Sequence, residues 1–386
     1  MSENAHEEGG RRISDSGRPA ATRKLGSFSL GFGDLSTDDI DAEMLSKFLT
    51  EVDATMPETI QDIDADAAIF RTRLETTHGT GMNLMTALLS GASELLNWAR
   101  NAVDQAAEAD DDQEQVEKLL TWHECLWGLA GRALQVYAEV TWLLRGGFPN
   151  GAMARVRTMH ELFVTAYVIG AFGQPGGDHP ELVERYLRHQ ETFVRKEAND
   201  LIAYGGGVFK DLFDQATLDA LDQKKKMLED RFGKGFSTSW GWAQPLFPDG
   251  GGIGIQRLAK LAMPDWNYFY TLTSSQNHAG SKAWHDTFVE YEDQVFIFVG
   301  PTENGLFMPA YLASRLLLVT LMTVVPTEVS GEDGEADHLG KMGLATLRNM
   351  VGRIDSAFQV AQEEVDRSED GPEHSGGQRE DHLIDD

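Results

Sequence analysis

A single cysteine, Cys125, is all this chain offers to thiol chemistry. No disulfide can form within the chain, a reducing compartment is expected, and the residue's place in an apolar helical pattern marks it as a core thiol rather than a nucleophile. Basic residues are also few: 33 Lys and Arg stand against 62 Asp and Glu, a net charge of −29. That balance works against a broad basic face, so DNA is not an expected partner. Long hydrophobic runs are missing as well. The longest clean apolar stretch near the C-terminus, Leu316–Val325, is shorter than a bilayer requires, and the opening MSENAHEEGGRRISDSGRPAATRK has no apolar segment of the signal-peptide kind. Neither membrane association nor secretion is expected, and the expected location is cytoplasmic.

Several motifs are lacking too. There is no HExxH, no cysteine pair and no G-x-S-x-G elbow. The glycines of GGGIG (250–254) are not followed by the Gly-Lys-Ser/Thr that a phosphate-cradling loop needs. No metal and no cofactor are expected on these grounds.

Hydrophobic residues, at 41% of 386, suffice for a substantial core. The acidic excess sits in the segments 1–42, 51–66, 101–117, 327–338 and 363–386, which leaves the rest of the chain close to neutral. Residues 1–35 and 366–386 have the composition of disordered polar arms, and 36–365 is expected to form one mainly-α domain with its core at 113–326. Helical spacing predicts segments from Thr37, from Pro57 to about 78, about 80–107, 113–145, 150–172, 180–204, 215–231, 255–280, 309–326 and about 337–365. Gly146-Gly147 and Pro149 lie between the fourth and fifth of these, so the two are expected as an antiparallel hairpin around which a bundle-like fold packs. The run TFVEYEDQVFIFVGPTENGLFMP allows a short β-hairpin near 287–308, turning at GPTENG. Residues 233–254 are long for a connection and carry Trp240 and Trp242, which suggests a functional loop.

The ionisable residues at the start of the 150–172 helix are the candidates for function. Arg155, Arg157, His160 and Glu161 enter a segment that is otherwise apolar, and charges in a dry interior need partners. At 100° per residue, Arg157 lies about 60° from His160 and about 40° from Glu161, whereas Arg155 lies about 140° from His160. Glu139, the lone acid of ALQVYAEVTWLL, is the natural partner for Arg157 across the hairpin, giving a network Arg157–Glu161–Glu139 that fixes helix register. A second polar cluster, SSQNHAGSKAWHDTF, places His278 and His285 seven residues apart, with Asn277 and Ser281 beside them. Such a pair can polarise a phosphate, although no further ligand spacing completes a metal site.

The segment Leu143-Leu144-Arg145, Gly147, Pro149, Ala152, Arg157, Glu161, Tyr167 resembles the core hairpin of an uncharacterised bacterial all-helical family that also carries a late histidine motif, matched here by His278 or His285. The resemblance spans roughly 115–325 and implies a fold rather than an activity. Arg155-Val-Arg-Thr-Met-His160 is also similar to the Arg-x(4–6)-His motif of the HEPN ribonucleases, which are helical dimers. That similarity implies metal-independent RNA cleavage in a homodimer, with Arg155 holding the scissile phosphate and His160 moving the 2′-hydroxyl proton, as in a toxin or defence effector. Val156 departs from the polar residue favoured there. The other reading of the same residues is a non-catalytic helical module that binds a ligand or protein partner, with the Arg/Glu cluster structural.

Overall fold

The computed structural model describes residues 42–204, 213–264, 288–291, 294–297, 299–327 and 335–369. Its elements are α1 (Ala42–Glu108), α2 (Gln113–Arg145), α3 (Pro149–Phe172), α4 (Glu181–His189), α5 (Val194–Tyr204), α6 (Gln215–Phe232), α7 (Ile255–Ala262), a two-stranded ribbon β1 (Phe288–Tyr291) and β2 (Gln294–Ile297), α8 (Phe307–Val324) and α9 (Glu335–Glu369). The protein is mainly α. It divides into two compact units, residues 1–65 and 66–386. In the first, the described residues 42–65 are helical and expose Phe48, Met56, Ile60 and Ile63. The second holds the core.

The hairpin forms for local reasons. Asp112 caps α2 by accepting from the Gln115 N–H. At the other end the Gly146 N–H reaches back to Trp142 and Leu143, Gly147 takes φ 75°, and Pro149 opens α3 at its first position. Gly147 is required twice over. Its φ suits a residue without Cβ, and a Cβ there would stand 2.6 Å from the Phe70 ring and 2.9 Å from Pro301. Along the pair, the Trp122 indole N–H donates to the Ile169 carbonyl at 3.0 Å.

Helix α8 lies against this hairpin. Tyr137 Oη and Ser314 Oγ are 3.1 Å apart in the interior, so the hydroxyls share a hydrogen bond rather than remain buried and bare. By length and composition α8 is apolar enough to cross a membrane, and 61% of that window is buried inside the protein. The clean apolar run Leu316–Val325 covers its second half and ends at its C-cap. On its other side Arg315 pairs with Asp355 of α9 at 2.7 Å and stacks on Tyr311.

Three expectations are corrected. The breaks at Pro57 and near residue 79 do not occur, because α1 is one helix of 67 residues with Pro57 inside it. Pro57 forfeits one backbone bond, while Thr55 and Thr59 add hydroxyl bonds to the carbonyls of Glu51 and Thr55. At Gly81 the chain stays helical and the missing side chain makes room for Phe358 of α9, whose ring lies 2.6 Å from where a Cβ would be. The β-hairpin turns earlier than GPTENG: Tyr291 pairs with Gln294 and Phe288 with Ile297. GPTENG instead leads into α8 and is held by a Thr302 N–H to Gly147 carbonyl bond of 2.8 Å.

Candidate functional site

The α3 cluster separates into two environments. Arg155 reaches back across the hairpin, its Nε 3.0 Å from Glu139 Oε2, and Arg132 approaches the same carboxylate at 3.6 Å. Arg157 pairs with Glu161 one turn on, at 3.2 Å. The expected partnership of Glu139 with Arg157 is therefore corrected: Arg155 takes Glu139. The residue left over by the helical-wheel argument is the one that faces α2, because Glu139 lies on the outer face of its helix and Arg155 on the same outer side of the hairpin. All these side chains remain partly exposed, where an ion pair contributes about 0–1 kcal/mol.

His160 points the other way. It is 2% exposed, and burial pushes its imidazole down to about 4, so it is neutral at pH 7. A proton shuttle works best near the operating pH and within reach of substrate, and Arg155 stands in a different setting. His278, His285, Asn277 and Ser281 lie outside the described residues. Among the described residues no group of three or more His, Cys, Asp and Glu is gathered closely enough to hold a metal. Burial also pushes the Cys125 thiol up to about 12, out of the range of a thiolate nucleophile.

The tryptophan loop is built rather than loose. Short 3₁₀ turns cover Lys234–Ser237 and Gly241–Leu246, and Trp242 is 2% exposed with its ring edge-on to Tyr186 at 5.2 Å. The organising group is Arg185 of α4, itself buried. Its Nε donates to the Trp242 carbonyl at 2.9 Å, Nη2 to Gly241 at 2.8 Å and Nη1 to Phe232 at 3.4 Å. The rings of Phe232 and Phe236 flank the guanidinium at 5.0 and 5.1 Å. His189, one turn on, donates from Nε2 to the Thr238 carbonyl at 2.8 Å. Trp240 is half-buried against the core, and Arg257 pins the far end of the loop through Asp249 and the Gly250 carbonyl. A buried arginine satisfied by carbonyls and aromatic faces makes Trp240 and Trp242 part of the fold.

The concave feature near this framework lies where the first turns of α2, the 173–180 connection and α4 meet. It is a cleft of about 820 Å³. Trp122, Val183, Leu187 and Pro180 give it apolar walls, and Glu114, Glu117, Lys118, Glu184 and Arg188 line its edges. Lys118 is tied to Glu114 at 2.6 Å, and Glu184 takes Arg231 at 2.5 Å with Arg188 at 3.8 Å. The Trp122 N–H is occupied by Ile169, which leaves its ring face as the surface offered. Leu187 is 50% exposed at the rim.

Sequence reasoning passed over these residues. Arg185, Leu187 and Arg188 belong to ELVERYLRHQ, which reads as an ordinary amphipathic helix. A signal was available in the spacing: Arg185 follows Leu182 by three and precedes His189 by four, so it shares the buried stripe.

The architecture is thus that of a mainly helical protein organised on the α2–α3 hairpin. Residues 123–295 match the profile of a family of unknown function (DUF5677), in agreement with the resemblance drawn from the hairpin residues. The match begins inside α2 and ends within β2. No curated protein matches the chain, and no solved structure does.

Proposed function

We propose that this protein is a non-catalytic helical module that binds a protein partner as an extended peptide segment in the α2–α4 cleft. The observation that carries the reading is the cleft's composition: apolar walls beside carboxylates, in a volume typical of ligand sites. Trp122, Val183 and Leu187 offer seats for apolar side chains. Glu117, on the α2 side of the cleft, favours a basic side chain, while Glu184 is already paired with Arg231 and Arg188. The arginines of α3 belong to the framework in this reading, and His160 is a core histidine held neutral.

The test has two arms. A phage-displayed peptide library panned on the purified protein should enrich sequences that combine apolar and basic residues. Retention of those peptides should fall at least tenfold on Leu187→Asp and on Glu117→Lys, two surface changes that leave the core intact. Enrichment indifferent to both changes overturns the site. In the second arm, total RNA incubated with wild type and His160→Ala should stay intact in both. Cleavage by wild type that His160→Ala abolishes would replace the binding reading with the ribonuclease one.

A further inference from the structure

The outer face of α2 carries an exposed surface whose pattern is self-complementary. At 100° per residue, Glu124, Gly128, Gly131, Arg132, Gln135, Ala138, Glu139 and Trp142 fall within an arc of about 120° centred on Gln135. Trp142 is 76% exposed, an expensive placement for an indole in a helix whose other tryptophans are half-buried. A Cβ added at Gly128 or at Gly131 would meet nothing within 4 Å, so both positions are open notches.

We propose that this face is the interface of a two-fold dimer in which α2 packs antiparallel on α2 of a second copy, with the axis at Gln135. In that register three bulky residues oppose small ones, with Gln135 meeting its own copy at the axis. Trp142 lies opposite Gly128 of the second copy, each seven residues from the axis. Glu139 lies opposite Gly131 and Arg132 opposite Ala138. Small residues permit close approach of two helices, and a two-fold makes each contact occur twice.

Charge supports the same occupant. Glu124, Arg132 and Glu139, with Arg155 leaning in from α3 to pair with Glu139, make a face with two charges of each sign. In a chain of net charge −29, two copies repel over most approaches, and a balanced face is where they can meet. Arg132 of one copy also lies within one position of Glu139 of the other. This inference rests on the α2 surface alone and is independent of the cleft.

Sedimentation velocity on the full chain over a concentration series reads the assembly. A monomer–dimer equilibrium is expected, and Gly128→Leu and Trp142→Ala should each weaken it at least tenfold. Gly128→Leu fills a notch on a solvent face with a better helix former, so its melting temperature should hold or rise while the dimer is lost. Geometry is read by a short bis-maleimide. Gln135→Cys should cross-link to itself, whereas Glu124→Cys should not, because antiparallel pairing places those positions about 33 Å apart. The native Cys125 is buried and silent in this assay. A monomer at every concentration overturns the proposal. So does a dimer indifferent to both substitutions, or equal cross-linking from positions 124 and 135.

Discussion

Two tryptophans invert the usual expectation about helices and loops. Trp142 sits in the last turn of a long, regular helix and stands in solvent, whereas Trp242 sits in a glycine- and proline-rich connection and is sealed. The difference lies in what surrounds each backbone. α2 satisfies its own carbonyls, so nothing needs to cover its outer face. The 233–247 connection cannot do so, and Arg185 supplies the donors that let it fold inward over Trp242. Burial here follows the location of hydrogen-bond donors more closely than it follows secondary structure.

The comparison can be broken at the loop with the largest effect. Trp242→Ala should cost about 3–5 kcal/mol, and Arg185→Leu about 3 kcal/mol by leaving carbonyls bare. Chemical denaturation is the measurement, and a loss under about 1 kcal/mol in both would mean the loop is not part of the cooperative core. Arg185→Lys should rescue little, since an ammonium cannot reproduce the fork.

A middle-sized effect concerns acid. His78, His123, His160 and His189 are all buried, and burial is the leading cause that lowers each below 6.5, to about 4 for His123 and His160. Unfolded chains therefore bind protons that the native state refuses. Stability from these groups is complete above about pH 6.5 and drains away as pH falls from there toward 4. Melting temperature should drop across that window, and His160→Leu should flatten part of the slope. A constant melting temperature between pH 6.5 and 4.5 would contradict the neutral burial of these rings.

The smallest effect sharpens the contrast from the helix side. Trp142→Ala should change monomer stability by no more than about 0.5 kcal/mol, as for other exposed positions. Against the several kcal/mol at Trp242, that ratio measures how differently the two indoles are placed. A loss above about 2 kcal/mol, read below the concentration at which the chain associates, would show that Trp142 packs within its own monomer.

Much of the helical layout was legible because it is written locally. Gln113–Arg145 could be placed from its apolar spacing and a Gly-Gly-x-Pro stop. Pro57 and Gly79–Gly81 misled because a local break signal can be overruled, at Gly81 by the ring of Phe358 arriving from far along the chain. The α3 cluster was half legible. Its arginines and Glu161 were found and their need for partners was right, yet which arginine takes Glu139 depends on how the two helices roll against each other. The cleft was not legible at all, since Trp122, Leu187 and Glu117 become neighbours only through the 173–180 connection. Arg185 hid for a different reason: its partners are backbone carbonyls, which every sequence has.

The bond from Thr302 to the carbonyl of Gly147 joins positions 155 residues apart. On a chain emerging from the ribosome, α2 and α3 can pair as soon as Phe172 is made, because their contacts are short in sequence. The turn between them must then wait, its carbonyl and its notch for Pro301 open, until Thr302 has been made. During that interval the hairpin also lacks α8, and Tyr137 has no Ser314 to meet. The nascent chain thus carries an apolar hairpin surface from Phe172 until α8 is made, an interval in which it is open to aggregation and to chaperones.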